Sequence, residues 1–269
     1  MGLNLTLLLY TSTVVTGITT LIYFLFIRKS ATASNINVTL NHNKITKKAD
    51  NHWLVKNSLL LFPVLTAILL FRTFYLQPFI IPSESMLPTL EKGDIIVVKK
   101  HQYSLRTPIS RHSILDLTKP KRGEIIVFQH PVKNHINYIK RVVGLPGDLI
   151  QYKNKTLYIN HQAIQKIPIR NYHGLSQFQS NLGDISYHYL LNDSVHIDDT
   201  EGEWTIPENS YFALGDNRDN SQDSRLFGPI HENLILGRAD TIIVQWPSIF
   251  SLPNIERSGI QTHELSSLP

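Results

Sequence analysis

Two long apolar stretches stand at the front of the chain, and short alternating runs fill the rest. Leu5–Ile27 carries no charged side chain over 23 residues. A helix of that length crosses a hydrocarbon core of about 30 Å. Its Thr and Ser side chains can bond back to carbonyls of their own helix, so they do not bar it from lipid. A cleaved signal peptide is the other reading of such a stretch. Against it, the positive leading region is missing, the run is too long, and the Ala-x-Ala pattern at Ala31–Ala33 comes just after Arg28 and Lys29. The second stretch, Ser58–Tyr75, is uncharged as far as Phe71. Arg72 lies near its end, where a long side chain reaches the headgroups, and Pro63 is placed to kink it. Its 14 uncharged residues also fit a buried helix of a soluble protein. The neighbouring anchor and the flank of Phe71, Phe74 and Tyr75 favour a membrane span.

After residue 77 the pattern changes period. Ile95–Val98, Glu124–Gln129, Tyr138–Val143, Leu149–Tyr152, Thr156–Ile159, Tyr211–Leu214 and Leu234–Val244 are short runs rich in Ile, Val and Tyr, punctuated by Gly, Pro, Asn and Asp. The expected fold class is mainly β: two N-terminal transmembrane helices, then an antiparallel β-sheet exterior domain with a smaller inserted β region. Tyr103–Lys119 and Pro168–Asp199 read as polar, irregular loops or insertions, and Pro253–Pro269 as a loosely held tail. The resulting division is a first anchor at 1–27, a basic loop at 28–57, a second anchor at 58–76 and an exterior domain at 77–269, with the accessory insertion at about 150–210.

Charge changes the picture in one respect. The chain carries +5, but seven of its 26 Lys and Arg lie before residue 77 against a single acid, Asp50. From residue 77 on, 19 basic residues face 20 acidic ones. The excess is therefore a topology signal and not a nucleic-acid surface. Arg28, Lys29, Lys44, Lys47, Lys48 and Lys56 crowd the loop between the stretches, and positive loops stay cytoplasmic. The exterior domain is expected on the other side, the periplasm of a bacterium with two membranes. There is no cysteine, which excludes disulfides, thiolate metal sites and cysteine catalysis.

Three segments concentrate chemistry. IPSESMLPTLEKGD, from Ile81 to Asp94, sets two hydroxyls two residues apart just beyond the second apolar stretch. YIKRVVGLPGD, residues 138–148, places Tyr138, Lys140 and Val142 on one strand face and Ile139 and Arg141 on the other. If one face is core, one of the two cations lies against apolar surface, unless it snorkels to water. GDNRDNSQDSR, from Gly215 to Arg225, is dense in charge and hydroxyls. Alone it reads as a solvated turn. A calcium loop is disfavoured, because the glycine at its sixth position is missing and the twelfth is Ile230. No metal and no cofactor are expected.

Together with the Lys121–Phe128 run, these segments resemble the bacterial type I signal peptidases, in the family's order and after two apolar stretches, from about Phe62 to Trp246. The resemblance implies a membrane-bound serine endopeptidase with a Ser–Lys dyad, acting on preprotein signal peptides after small residues at the −1 and −3 positions. It implies Ser85 as nucleophile, Ser83 as an oxyanion donor beside the Ser85 backbone N–H, Lys140 as general base and Ser221 as the group orienting that lysine. Asp223 and Arg225, with Arg141, are implied as support of the site. Phe79, Ile81, Met86, Leu90, Ile96, Val127, Tyr138 and Ile139 are implied as lining for small substrate side chains. The implied partners are signal peptides and the lipid bilayer, with proximity to the secretion translocon and no nucleic acid.

Elementary chemistry agrees with these roles. A serine hydroxyl needs a base to become a useful nucleophile. An ordinary lysine is neutral in only about one molecule in 2,500 at pH 7, and burial lowers its pKa by penalising the ammonium. A tetrahedral oxyanion needs fixed donors, which a hydroxyl can supply. Glu84 departs from the glycine that many members carry between the serines; it is expected to face solvent. Phe74–Ile81 and the Trp246–Phe250 patch are candidates to rest on lipid. Another Ser–Lys protease, such as a self-cleaving repressor, would need a DNA-binding module, and none is visible. The non-enzymatic alternative is a catalytically inactive membrane-anchored β scaffold binding secretory partners, against which all four catalytic positions are present.

Overall fold

The computed structural model describes residues 2–32, 53–74, 76–106, 113–133, 136–195, 200–246 and 251–262. The middle of the basic loop, residues 33–52, lies outside them, as do Tyr75, residues 247–250 with Phe250, and residues 263–269. The chain divides into two compact units, Met1–Tyr75 and Leu76–Pro269.

The first unit is a pair of helices, α1 (Gly2–Thr32) and α2 (Trp53–Phe74). Both are long and apolar enough to cross a membrane, over Leu8–Phe26 and Trp53–Leu70. Their large apolar side chains point outward, as at Leu21, Phe24, Leu60 and Leu70, which is the reverse of a soluble helix pair. The hydroxyls of Thr13, Thr16 and Thr20 donate to carbonyls one turn back at 2.7–2.8 Å, which keeps them from lipid without partners. Gly17 lets the ring of Phe62 approach closely; a β-carbon there would lie 2.8 Å from it.

The second unit is built on a seven-stranded sheet in the order β1-β2-β16-β5-β6-β14-β15. These strands are β1 (Leu76–Ile80), β2 (Asp94–Lys99), β5 (Ile125–Gln129), β6 (Asn137–Gly144), β14 (Ser210–Leu214), β15 (Ile230–His231) and β16 (Ile235–Gln245). All pairings in it are antiparallel. β16 slips register at Ala239/Thr241 and Ile242/Val244 against β2, and such bulges bend a strand and raise its twist. Apolar side chains pack on both faces, so β5 and the inner part of β6 are buried at successive positions. This explains why Lys140 and Arg141 are both buried, on opposite faces, and why neither snorkels.

A second β layer is inserted between β6 and β14. One sheet runs β13-β7-β8-β9, from β7 (Leu149–Lys153), β8 (Thr156–Ile159), β9 (Gln162–Ala163) and β13 (Gly202–Thr205). The other is the meander β10 (Ile167–Tyr172), β11 (Leu175–Leu182) and β12 (Ile185–Leu191). Asn154-Lys155, Asn160-His161 and His173-Gly174 join successive strands, each with both central residues at positive φ, the hairpin turn whose twist matches the strands.

The reading of Pro168–Asp199 as loop is corrected by β10, β11 and β12. Phe178, Leu182, Tyr187, Tyr189 and Leu191 pack into the core, but polar residues are interleaved with them on both faces, which breaks up the apolar alternation. Ser180 is buried and donates to Gln165 O at 2.8 Å, and buried Gln177 lies 3.2 Å from His188 Nδ1. Within Tyr103–Lys119, β3 (Ser104–Arg106) and β4 (Ser113–Asp116) form a further antiparallel pair. Leu76–Ile80, placed with the lipid-facing candidates, forms β1 and pairs with β2.

Candidate active site

Ser85 sits on a tight turn between β1 and β2. The backbone closes that turn with Leu87 N donating to Glu84 O at 3.2 Å and Leu90 N to Met86 O at 2.9 Å, while Gly93 N and Ile81 N tie its two ends together. Met86 and Leu90 point into the core and are fully buried, which anchors the turn by its apolar side. Ser85 is left at the mouth, 8 % exposed. Lys140 extends from the middle of β6 and is 3 % exposed. Its Nζ lies 2.5 Å from Ser85 Oγ and 5.6 Å from the centre of the Tyr138 ring.

Burial is the main reason the Lys140 pKa falls, from its usual 10.5 to about 8; Arg225 adds to the fall, while Asp223 and Asp216 oppose it. At pH 7 a lysine of pKa about 8 is neutral in roughly one molecule in ten. Ser83 Oγ lies 3.3 Å from Ser85 Oγ. Glu84 is exposed, so its carboxylate stays in solvent and away from Lys140.

The segment from Gly215 to Arg225 closes the site from the other side. Asp223 and Arg225 form a two-point ion pair, Nε to Oδ1 at 2.8 Å and Nη2 to Oδ2 at 2.9 Å, both side chains wholly buried. Burial pushes the Asp223 carboxyl up, but Arg225 and the Gly215 N–H outweigh it and hold the pKa below the usual range. Asp223 also caps the short helix α3 (Ser224–Phe227) by accepting from Arg225 N. Ser221 Oγ is buried beside the cleft, and the expected hydrogen bond to Lys140 is not formed in this conformation.

Sequence reasoning missed the residues that dock this segment to the Ser85 turn. Asn217 N donates to Ser85 O at 3.1 Å, and Asn217 Nδ2 to Glu84 O at 3.1 Å. Arg141, expected as support, pairs with the unpredicted Asp216, Nε to Oδ1 at 2.9 Å and Nη2 to Oδ2 at 2.7 Å, and Thr89 Oγ1 donates to the same Oδ2 at 2.5 Å. Every one of these residues lies inside the three chemistry-bearing segments. What was not legible was which of them face one another.

The cleft has a volume of about 470 Å³ and is bordered by Pro82, Ser83, Ser85, residues 136–140 and residues 219–222. Of the eight expected lining residues, Tyr138 and Ile139 border it directly. Ile81, Met86, Leu90, Ile96, Val127 and Ile139 form one buried cluster with Phe79 packed against it. Phe79 faces Ile96, and Val127 faces Ile139, as cross-strand neighbours.

The model of the family described as signal peptidase, peptidase S26, matches residues 53–246. This chain belongs to the signal peptidase family S26. Signal peptidase I of Pseudomonas aeruginosa is 39% identical over 216 residues, covering 74% of this chain and 76% of that relative. Signal peptidase I of Pseudomonas fluorescens is 36% identical, covering 97% of this chain and 99% of the relative. A solved signal peptidase I from Enterococcus faecalis V583 is 30% identical, with a TM-score of 0.31, covering 46% of this chain and 98% of that one. The signal peptidase match takes in α2, the Ser85 turn, Lys140 and the whole of Gly215–Arg225. As a member of this family, the chain is a peptidase.

Proposed function

We propose that the chain is an integral membrane signal peptidase that cleaves signal peptides from secreted preproteins with a Ser85–Lys140 dyad. The observation that carries this is the 2.5 Å approach of a buried lysine nitrogen to a serine oxygen at the mouth of a cleft. The neutral amine takes the Ser85 proton as the hydroxyl attacks the scissile carbonyl. The resulting ammonium then gives that proton to the leaving amine. The Ser83 hydroxyl and the Ser85 backbone N–H stabilise the oxyanion, and Ser221 fixes the lysine once substrate excludes water. Asp223, Arg225 and Arg141 hold these groups in place.

The bulky cluster of Ile81, Met86, Leu90 and Ile139 beneath the serine supports a preference for small side chains at the −1 and −3 positions. Two spans and the basic loop between them support a multi-pass protein whose catalytic unit faces the periplasm. Exposed Ile80 and Trp246 support lipid contact, which would keep the cleft where signal peptides leave the translocon. The test is to incubate the detergent-solubilised protein with a preprotein and sequence the new amino terminus. Cleavage after a small residue, lost in Ser85→Ala, is expected; equal cleavage by Ser85→Ala refutes the dyad.

A further inference from the structure

The family match stops at Trp246, but the chain beyond it is not a loose tail. Residues 251–262 return along β16. Gln245 and Asn254 exchange both backbone hydrogen bonds, at 2.8 and 3.0 Å. Further on, Gly259 N donates to Ile242 O at 2.8 Å, Ile242 N to Ile260 O at 3.1 Å and Thr262 N to Asp240 O at 2.7 Å. The expectation of a loosely held tail is therefore corrected for 251–262, because backbone pairing to an edge-lying stretch of β16 satisfies its polar groups.

Between these two points of attachment, Arg257 reaches the turn that carries Ser85. Its Nη2 donates to Thr89 O at 2.8 Å. Its Nη1 lies 2.8 Å from Glu91 Oε1 and 3.1 Å from Asp94 Oδ2. The second Glu91 oxygen accepts from Gln245 Nε2 at 2.7 Å. Thr89 is thus gripped from both sides, its carbonyl by Arg257 and its hydroxyl by Asp216, four residues from the serine. Asp94 is completely buried, so its one ion pair among the described residues, to Arg257, is not a solvated surface contact. Only two backbone bonds stiffen residues 84–90 from within, so the turn depends on such outside holds. Displacing a nucleophile by about 1 Å costs on the order of 10²-fold in rate.

We propose that Arg257 is a positioning residue for peptide-bond cleavage, the C-terminal segment acting as a strap that holds the Thr89–Asp94 end of the nucleophile turn. The proposal rests on Ser85 being the nucleophile. Arg257 touches no reacting atom; it acts through Thr89, Glu91 and Asp94. Its planar fork sets one nitrogen on the Thr89 carbonyl and the other beside the Glu91 and Asp94 carboxylates, a two-nitrogen span that a single ammonium does not reproduce.

Removing Arg257 alone would strand the buried Asp94 charge and endanger folding. The test is therefore the double variant Arg257→Met with Asp94→Asn, beside Arg257→Lys, both in the full-length protein. In the double variant, amide exchange at Leu87 and Leu90 is expected to quicken about tenfold while exchange in Ile125–Gln129 is unchanged. Its kcat on a preprotein is expected to fall about tenfold, with KM within twofold and the apparent pKa of kcat/KM unmoved, since Lys140 stays buried. Arg257→Lys should lose about threefold. Unchanged exchange at Leu87 and Leu90 overturns the strap. Faster exchange with an unaltered kcat, or a loss confined to KM, overturns its role in the reaction. If the unaltered chain cleaves no preprotein, the peptidase reading is what fails, and exchange at Leu87 and Leu90 still decides whether Arg257 holds the turn.

Discussion

Lys140 is ordinary in composition and unusual in setting. It has little exposed surface, and its Nζ has Ser85 Oγ within reach. The base must be neutral to accept a proton, so kcat/KM should rise with pH and level off above an apparent pKa near 8. A pH–rate profile checks this; a flat profile between pH 6 and 9 would remove Lys140 from the base role. The same burial carries a stability cost. Below about pH 8 both the folded and unfolded chains hold the proton, and the folded state bears the full penalty of a buried charge. Between about 8 and 10.5 the unfolded chain binds more protons, so the penalty fades as pH rises. Lys140→Met should therefore abolish turnover yet stabilise the protein at pH 7, by about 1–3 kcal/mol. Thermal midpoints at pH 7 and pH 10 measure it, and the gain should shrink at the higher pH. Sequence alone singled out Ser85 and Lys140 as candidates through the segments around them, and the fold brings the two side chains together. The depth of the lysine was not legible, because alternation along β6 allows one buried face and the fold buries both.

At the scale of elements, the site is an agreement between one turn and one loop. Neither is a long helix or strand, so each takes its shape from the other. Gly215 shows how close they come: a β-carbon there would lie 2.6 Å from Ser85 O and would also meet the Ser221 side chain. Backbone cannot yield at that distance without moving Ser85. Gly215→Ala is expected to destabilise by about 1–3 kcal/mol through overpacking and to lower kcat by more than tenfold. Denaturant unfolding with steady-state kinetics checks both effects; a well-folded, fully active variant would show that the loop has slack. Element recognition followed side-chain chemistry. Runs such as Ile125–Gln129 declared themselves by Ile and Val content. β10 did not, being almost wholly exposed, and in β11 the buried polar residues Gln177 and Ser180, on opposite faces, interrupt the pattern that Phe178 and Leu182 would set.

On the scale of the whole molecule, two apolar helices precede a β unit whose charge is nearly balanced. The basic excess around the loop at 28–57 predicts that the catalytic unit faces away from the cytoplasm. Protease added outside spheroplasts should digest residues 77–269 and leave the loop intact, while inverted vesicles should give the opposite. Digestion of the loop from outside would reverse the proposed topology.

What the sequence determined by itself is whatever depends on residue type and order: two long apolar helices from uncharged length, a β fold from short branched and aromatic runs, and the family from ordered blocks that include Ser85 and Lys140. What only the tertiary structure decided is which side chains meet across long stretches of chain. Arg141 with Asp216, Asn217 with Ser85 and Arg257 with Thr89 are contacts of this kind. The physical reason is that a hydrogen bond or ion pair depends on distance and on exclusion of water, and neither is written locally along a chain.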